Sequence, residues 1–254
     1  MMRGSMQEYY RTITGIYSDI VTSPANDLAF QSAGKAIAQR LAQDHLIYLV
    51  GPGGHSNMAT EECMCRAGMP VQLSPMIDAT NLLHGTTKTR FLQRSGAYAK
   101  GLLEEYGIGR GDVLVVVNAY GINFLSVELA LQARELGATV VGICSTEFGR
   151  RIPPDHPARH PSGQNLFEVC DIFLDNKMPY GDAVIHIEGA EQQAGPTSTL
   201  CNVFTIDMLM ISAVEELIEM GAKPELWRSI NLPGGDTYNQ RYFRDYGQRI
   251  RYLL

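Results

Sequence analysis

Apolar positions along the chain alternate between short unbroken runs and longer stretches in which they return every three or four residues, the two rhythms of buried strands and of helices packed on them. Val113 to Val117 is the clearest run. It is β-branched, bounded by Gly111-Asp112 and Asn118, and reads as a strand buried on both faces. A helical stretch follows from Phe124 to Leu136, closes at Gly137, and leads into a second run, Val140 to Cys144. The segment from Val113 to Ser145 therefore predicts a βαβ unit with a right-handed crossover. Upstream, Leu46 to Val50 stops at Gly51-Pro52-Gly53-Gly54, and a helix is expected from Ser56 to Ala67. Val71 to Ser74 reads as a further strand, Asn81 to Arg94 as a polar loop, and the next helix runs to Tyr106 and closes near Gly107.

Two helices are expected between Met6 and Gln43, the second capped by Ser23 or Asn26 with Pro24 in its first turn. Pro153 to Gly163 reads as a loop. Asp171 to Leu174 and Ala183 to Ile187 read as shorter strands, and Thr199 to Met220 as a long apolar helix ended by Gly221. The tail from Trp227 to Leu254 is rich in Tyr and Arg and is expected to wrap the surface or a neighbouring subunit. Strands alternating with helices predict an α/β fold: a doubly wound, mostly parallel sheet flanked by helices over residues 44–254. Residues 1–43 form an N-terminal helical extension packing on this core or on a partner subunit.

Composition narrows the function. The formal net charge of −6 argues against nucleic acid, which calls for a basic face. It leaves open a small phosphate ester, which a few backbone N–H groups can hold. No apolar run reaches membrane length, and Met1 to Tyr10 lacks the apolar stretch of a leader, so the expected setting is cytoplasmic. The five cysteines are odd in number and fit neither zinc-ribbon nor C-x-x-C spacing, and read as core thiols.

Three turns stand where a strand hands over to a helix or a helix begins: Gly51 to Asn57, Asn118 to Asn123, and Gly195 to Thr199. In a parallel sheet such turns gather at the carboxyl ends of the strands, where ligands bind. Each has a bland alternative in a tight glycine turn or a helix cap. The first matches neither G-x-G-x-x-G nor G-x-x-x-x-G-K-[ST], so a nucleotide is not indicated.

The motifs Gly54-His55-Ser56-x-Met58-Ala59-x-Glu61-Glu62, Gly121-Ile122-Asn123 with Glu128, His160-Pro161-Ser162-Gly163, Pro179-Tyr180-Gly181-Asp182-Ala183-Val184 and Gly195-Pro196-Thr197-Ser198-Thr199 occur in order over most of the chain. In these the chain resembles proteins of the sugar isomerase (SIS) domain family, most closely a single-domain branch of phosphosugar or phosphoheptose isomerases. The resemblance implies the SIS fold and a sugar phosphate held by Gly53, Gly54, Ser56, Asn57, Asn118, Gly121, Asn123, Thr197, Ser198 and Thr199, and Lys88 in the polar loop is a candidate to contribute a charge to the substrate. The resemblance also implies aldose–ketose isomerisation through an enediol(ate), with Glu62 (or its neighbour Glu61) as base; from their loop positions, His55 is a candidate to bind the phosphate or shuttle a proton, and His84 is a further catalytic candidate. The family's second loop carries hydroxyl residues where this chain has Asn118, Tyr120 and Asn123. Elimination of the muramic acid 6-phosphate type and a non-catalytic sugar-phosphate sensor are the rival readings. Related isomerases can bind zinc. A His55, Glu62 and His84 or His160 set is conceivable here, but no H-x-x-x-H or H-E-x-x-H spacing supports it, and no metal or other cofactor is the expectation. A homodimer or homotetramer is expected, with no membrane or nucleic-acid partner.

Overall fold

In the computed structural model, residues 4–79, 82, 91 and 94–254 are described. Two helices open the chain, α1 (Gly4–Thr22) and α2 (Pro24–Ala42). The Ser23 side chain accepts from the Asn26 backbone N–H, and Pro24 begins α2, a favoured arrangement for a helix start. The core continues with β1 (Ile47–Val50), α3 (Gly54–Glu61), β2 (Leu73–Pro75), α4 (Gly96–Tyr106), β3 (Val113–Val117), α5 (Phe124–Glu135) and β4 (Thr139–Cys144). Then come α6 (Thr146–Arg151), α7 (Leu166–Val169), β5 (Ile172–Asp175), β6 (Ala183–Ile185), β7 (Ala194–Pro196), α8 (Ser198–Glu219) and α9 (Gly235–Tyr246).

Strands β1 to β5 form one parallel sheet in the order β2-β1-β3-β4-β5. The chain moves outward from β1 to β2 and then returns to β3, so the order reverses between β1 and β3. That reversal opens a crevice at the carboxyl ends of these two strands. Both faces of the sheet are covered. Val113, Val115 and Val117 of β3 join a core with α2, α3 and α8, while Leu114 and Val116 join one with α4, α5 and α7. The edge strand β5 is closed by Asn26 of α2, whose side-chain amide donates to the Asp175 carbonyl at 2.9 Å and accepts from the Asp175 N–H at 3.0 Å. Such pairing removes an open edge. Among the described residues no helix is long and apolar enough to cross a membrane, and the five cysteines are free thiols.

Three expectations are corrected. The helix expected to reach Ala67 stops at Glu61. The chain turns there, with Cys65 at φ +53°, because the backbone beyond is recruited elsewhere. Gly68 N–H donates to the Trp227 carbonyl, Trp227 N–H to Met69, and Val71 N–H to Glu225, each at 2.9–3.0 Å. The strand expected at Ala183 to Ile187 is shorter and lies outside the main sheet, as an antiparallel ribbon of β6 with β7. The aromatic tail is core rather than wrapping. It contains α9, and Trp227, Tyr242, Tyr246, Ile250 and Leu253 are buried with α2 and α8. Tyrosines serve here because the ring is apolar and the tip is not: the buried Tyr246 donates its hydroxyl to Asp44 at 2.9 Å.

Candidate functional site: a cleft at the β1/β3 switch point

The first loop leaves β1 at Val50. A Cβ on Gly51 would stand 2.3 Å from the Ser56 carbonyl oxygen, and Gly53 has φ +114°, so both positions require glycine. Gly53 is the N-cap of α3, and no side chain caps that helix. The first N–H groups of a helix have no partner within it and carry its positive end, so they are donors for an anion. Ser56 and Asn57 are buried and engaged within the chain. Ser56 Oγ accepts from the Ala119 N–H at 3.5 Å, and Asn57 Nδ2 donates to Glu61 Oε1 at 2.5 Å.

The second loop is tied to the first through Asn118. Its Nδ2 donates to the Pro52 carbonyl at 3.1 Å, and its Oδ1 accepts from the N–H groups of Tyr120 and Gly121 at 3.2 and 2.9 Å. Asn118 therefore builds the rim rather than reaching out of it. Gly121 has φ +70°, and a Cβ there would meet Cys144 Sγ at 2.6 Å. The Tyr120 ring leans on Phe148 at 4.7 Å, and its hydroxyl pKa is raised by burial and by the Asp182 charge. Asn123 begins α5 without capping it through its side chain, and its Oδ1 is buried without a hydrogen-bond partner. The loop at Pro153 to Gly163 braces this turn. His160 N–H donates to the Ile122 carbonyl and Phe124 N–H to the Ala158 carbonyl, both at 3.2 Å. The Arg159 guanidinium donates to the carbonyls of Gly149, Ile152 and Pro153 and to Asn165 Oδ1.

The third loop differs from expectation. Asp182, at φ +66°, turns its carboxylate onto the start of α8. It accepts from the N–H groups of Thr197 and Ser198 at 2.8 and 2.7 Å and from Ser198 Oγ at 2.9 Å, while Thr197 Oγ1 donates to the Asp182 carbonyl at 2.8 Å. A carboxylate of the chain thus holds the place where a phosphate was expected at this helix end. Thr199 takes no part in these bonds and is half-buried. Sequence reasoning missed the capping role of Asp182, which sits 15 residues before the turn it holds.

All three loops nevertheless meet on one cleft of about 110 Å³, lined among others by Gly53, Gly54, His55, Asn118, Asn123 and Ser198. His55 is exposed at its edge. Glu62 is not brought into it. The eight-residue α3 sets the two about 12 Å apart, and Glu62 is paired with Arg66 at 2.6 Å in a different cavity. Glu61 is exposed beside Asn57. His84 and Lys88 lie outside the described residues. His160 places Nε2 at 2.6 Å from Glu128 Oε2 and Nδ1 at 2.8 Å from Ser162 Oγ, and His186 is exposed. Among the described residues no three His, Cys, Asp or Glu side chains gather as a metal site, so His55, Glu62 and His160 do not form a set of ligands.

Residues 8–145, which include the first two loops, match the family profile described as SIS domain. A UPF0309 protein of Oceanobacillus iheyensis is 31% identical over 250 residues, 98% of this chain and 99% of that one. A UPF0309 protein of Listeria innocua is 32% identical over 224 residues, 88% and 89% of the two chains. A phosphoheptose isomerase structure from Francisella tularensis superposes with a TM-score of 0.47 at 13% identity, over 86% of this chain and 100% of that chain. The profile match spans more than half of the sequence, and the chain belongs to the SIS-domain family.

Proposed function

We propose that the protein binds a sugar phosphate at the β1/β3 cleft and interconverts its aldose and ketose forms. One observation carries this reading: the uncapped start of α3 and the residue Asn123 line the same cleft. The helix end offers N–H donors to a dianion, and the Asn123 side-chain amide is the polar group beside it for the sugar. A cavity of about 110 Å³ lies below the roughly 300 Å³ at which whole small-molecule sites begin. In this reading it takes the phosphate, and the sugar extends past His55. Moving a proton between adjacent carbons through an enediol(ate) needs a group that accepts and returns it, and His55 is the side chain at the edge that has this chemistry. Exposed apolar side chains on α1 and α8, including Met6, Tyr10 and Leu200, support a homo-oligomeric state.

The test is incubation with a panel of aldose and ketose phosphates in deuterated water, followed by NMR. Deuterium at the transferred carbon is the expected result. An unsaturated product would replace isomerisation by elimination, and a thermal shift without exchange would leave only binding. His55→Asn is expected to slow exchange by about 10²-fold or more with the thermal shift kept. Glu62→Gln is expected to change it by less than about tenfold, since its carboxylate is occupied by Arg66 away from the cleft. The reverse outcome would move the base to Glu62.

A further inference from the structure

A second cavity, of about 430 Å³, lies between the end of α3 and the middle of α8. Its walls are apolar, built by Met69, Met210, Ile211, Val214 and Leu226, and its polar groups are Glu62, Arg66, Asp207 and Glu215. Three of these four are accounted for. Arg66 and Glu62 neutralise one another at 2.6 Å, and Glu215 is exposed to solvent. Asp207 is different. It interrupts an apolar helix between Ile206 and Met208, and its Oδ1 is buried with no hydrogen-bond partner. A buried carboxylate oxygen without a donor is costly to the folded protein, and here it belongs to a residue that lines a cavity large enough for a small molecule.

We propose that this cavity is a binding site, separate from the β1/β3 cleft, for a primary ammonium group carried on an apolar body, with Asp207 as its counter-ion. The ammonium supplies a counter-charge to the Asp207 carboxylate, a residue of the cavity wall. The one cation at the cavity, Arg66, is committed to Glu62 and does not satisfy that need. Asp207 and Glu215 remain as uncompensated negative charge, which selects a cation over a neutral donor. The methionine, isoleucine, valine and leucine walls favour a hydrocarbon body over a polyhydroxylated one.

The occupancy should depend on pH. Burial, and next the Glu62 charge, push the Asp207 carboxyl up to about 6, against a smaller opposing effect of Arg66. The cation needs the ionised carboxylate, which prevails above that value and is lost as pH falls through it. Glu62, Arg66 and Glu215 are the other charged groups facing the cavity. The Cys63 thiol is pushed up by burial and by Asp207 and Glu62, and stays protonated.

The experiment is calorimetric titration of the intact protein with hexylamine and with 1-hexanol. At pH 7.5 hexylamine is expected to bind at least about tenfold more tightly than hexanol, and to lose about tenfold in affinity at pH 5, one unit below the Asp207 midpoint. Asp207→Asn is expected to abolish the preference for the amine at pH 7.5 and leave the thermal shift with inorganic phosphate unchanged. Equal binding of amine and alcohol, no binding of either, or an amine affinity indifferent to pH or to Asp207→Asn overturns the proposal. The wild-type comparison of two ligands at two pH values decides the matter even where the variant fails to fold. The comparison of amine with alcohol does not depend on the sugar-phosphate reading of the other cleft.

Discussion

Gly51→Ala is expected to be among the most damaging single substitutions in the chain, lowering stability by about 4 kcal/mol or more. The added Cβ would stand 2.3 Å from the Ser56 carbonyl oxygen and 2.7 Å from the Asn57 Cα. Both are backbone atoms of α3, so no side-chain rotation relieves the clash. Relief requires α3 to move away from β1. That movement stretches the Ala119 N–H to Ser56 bond and the Asn118 bond to Pro52, the two ties that hold the first and second loops together. Crowding a core ordinarily costs about 1–3 kcal/mol when side chains can yield, and here the main chain must yield. Thermal unfolding should fall by roughly 8–16 °C, and phosphate binding should be lost with it. Gly101→Ala is the control, because nothing lies within 4 Å of a Cβ there and the residue sits inside α4. It is expected to be neutral or to stabilise by up to about 1 kcal/mol. A Gly51→Ala protein melting within about 2 °C of the parent would show that the turn is looser than its contacts imply.

Asp182→Ala is expected to cost about 3 kcal/mol, or roughly 6–12 °C in melting temperature. The carboxylate accepts from two backbone N–H groups and the Ser198 hydroxyl at 2.7–2.9 Å, bonds strengthened by its charge. Its backbone stands at φ +66°, which aspartate and asparagine tolerate better than alanine. Asp182→Asn should therefore fall between the parent and Asp182→Ala. The same alanine variant should gain something. With the carboxylate gone, the start of α8 becomes an open anion site beside the cleft, and inorganic phosphate should bind more tightly even as the fold weakens. Melting curves with and without phosphate separate the two effects. Unchanged stability of Asp182→Ala would mean that other contacts hold this helix end.

What could be read in advance depended on how local each cause was. β3 is a β-branched run with both faces covered, and its reading needs nothing from elsewhere in the chain. The strand-glycine-helix turns at Gly51 and Asn118 are likewise local, and the parallel order then brings them to one rim. The failures are distant pairings. Thr197 and Ser198 look like free hydroxyls until Asp182 closes on them. Glu61 looks like the middle of a helix until residues 68–71 pair with 225–227. In the tail a local signal was present: Tyr238, Tyr242 and Tyr246 recur every fourth residue, the spacing of a helix face. Asp207 was also visible as an acid set between Ile206 and Met208 in an apolar stretch of helix.

The seat of α2 bears on how the protein is made. Its face packs against α8, and its Asn26 is bonded to Asp175, 149 residues further along. At a translation rate of about 5–20 residues per second, those partners emerge on the order of ten seconds after α2 itself. For that interval the face of Phe30, Ala33, Ile37 and Leu41 lacks the α8 surface that covers it in the folded protein, and a growing chain in that state is a client for holding chaperones. A helix made late in the chain completes the bed of one made early.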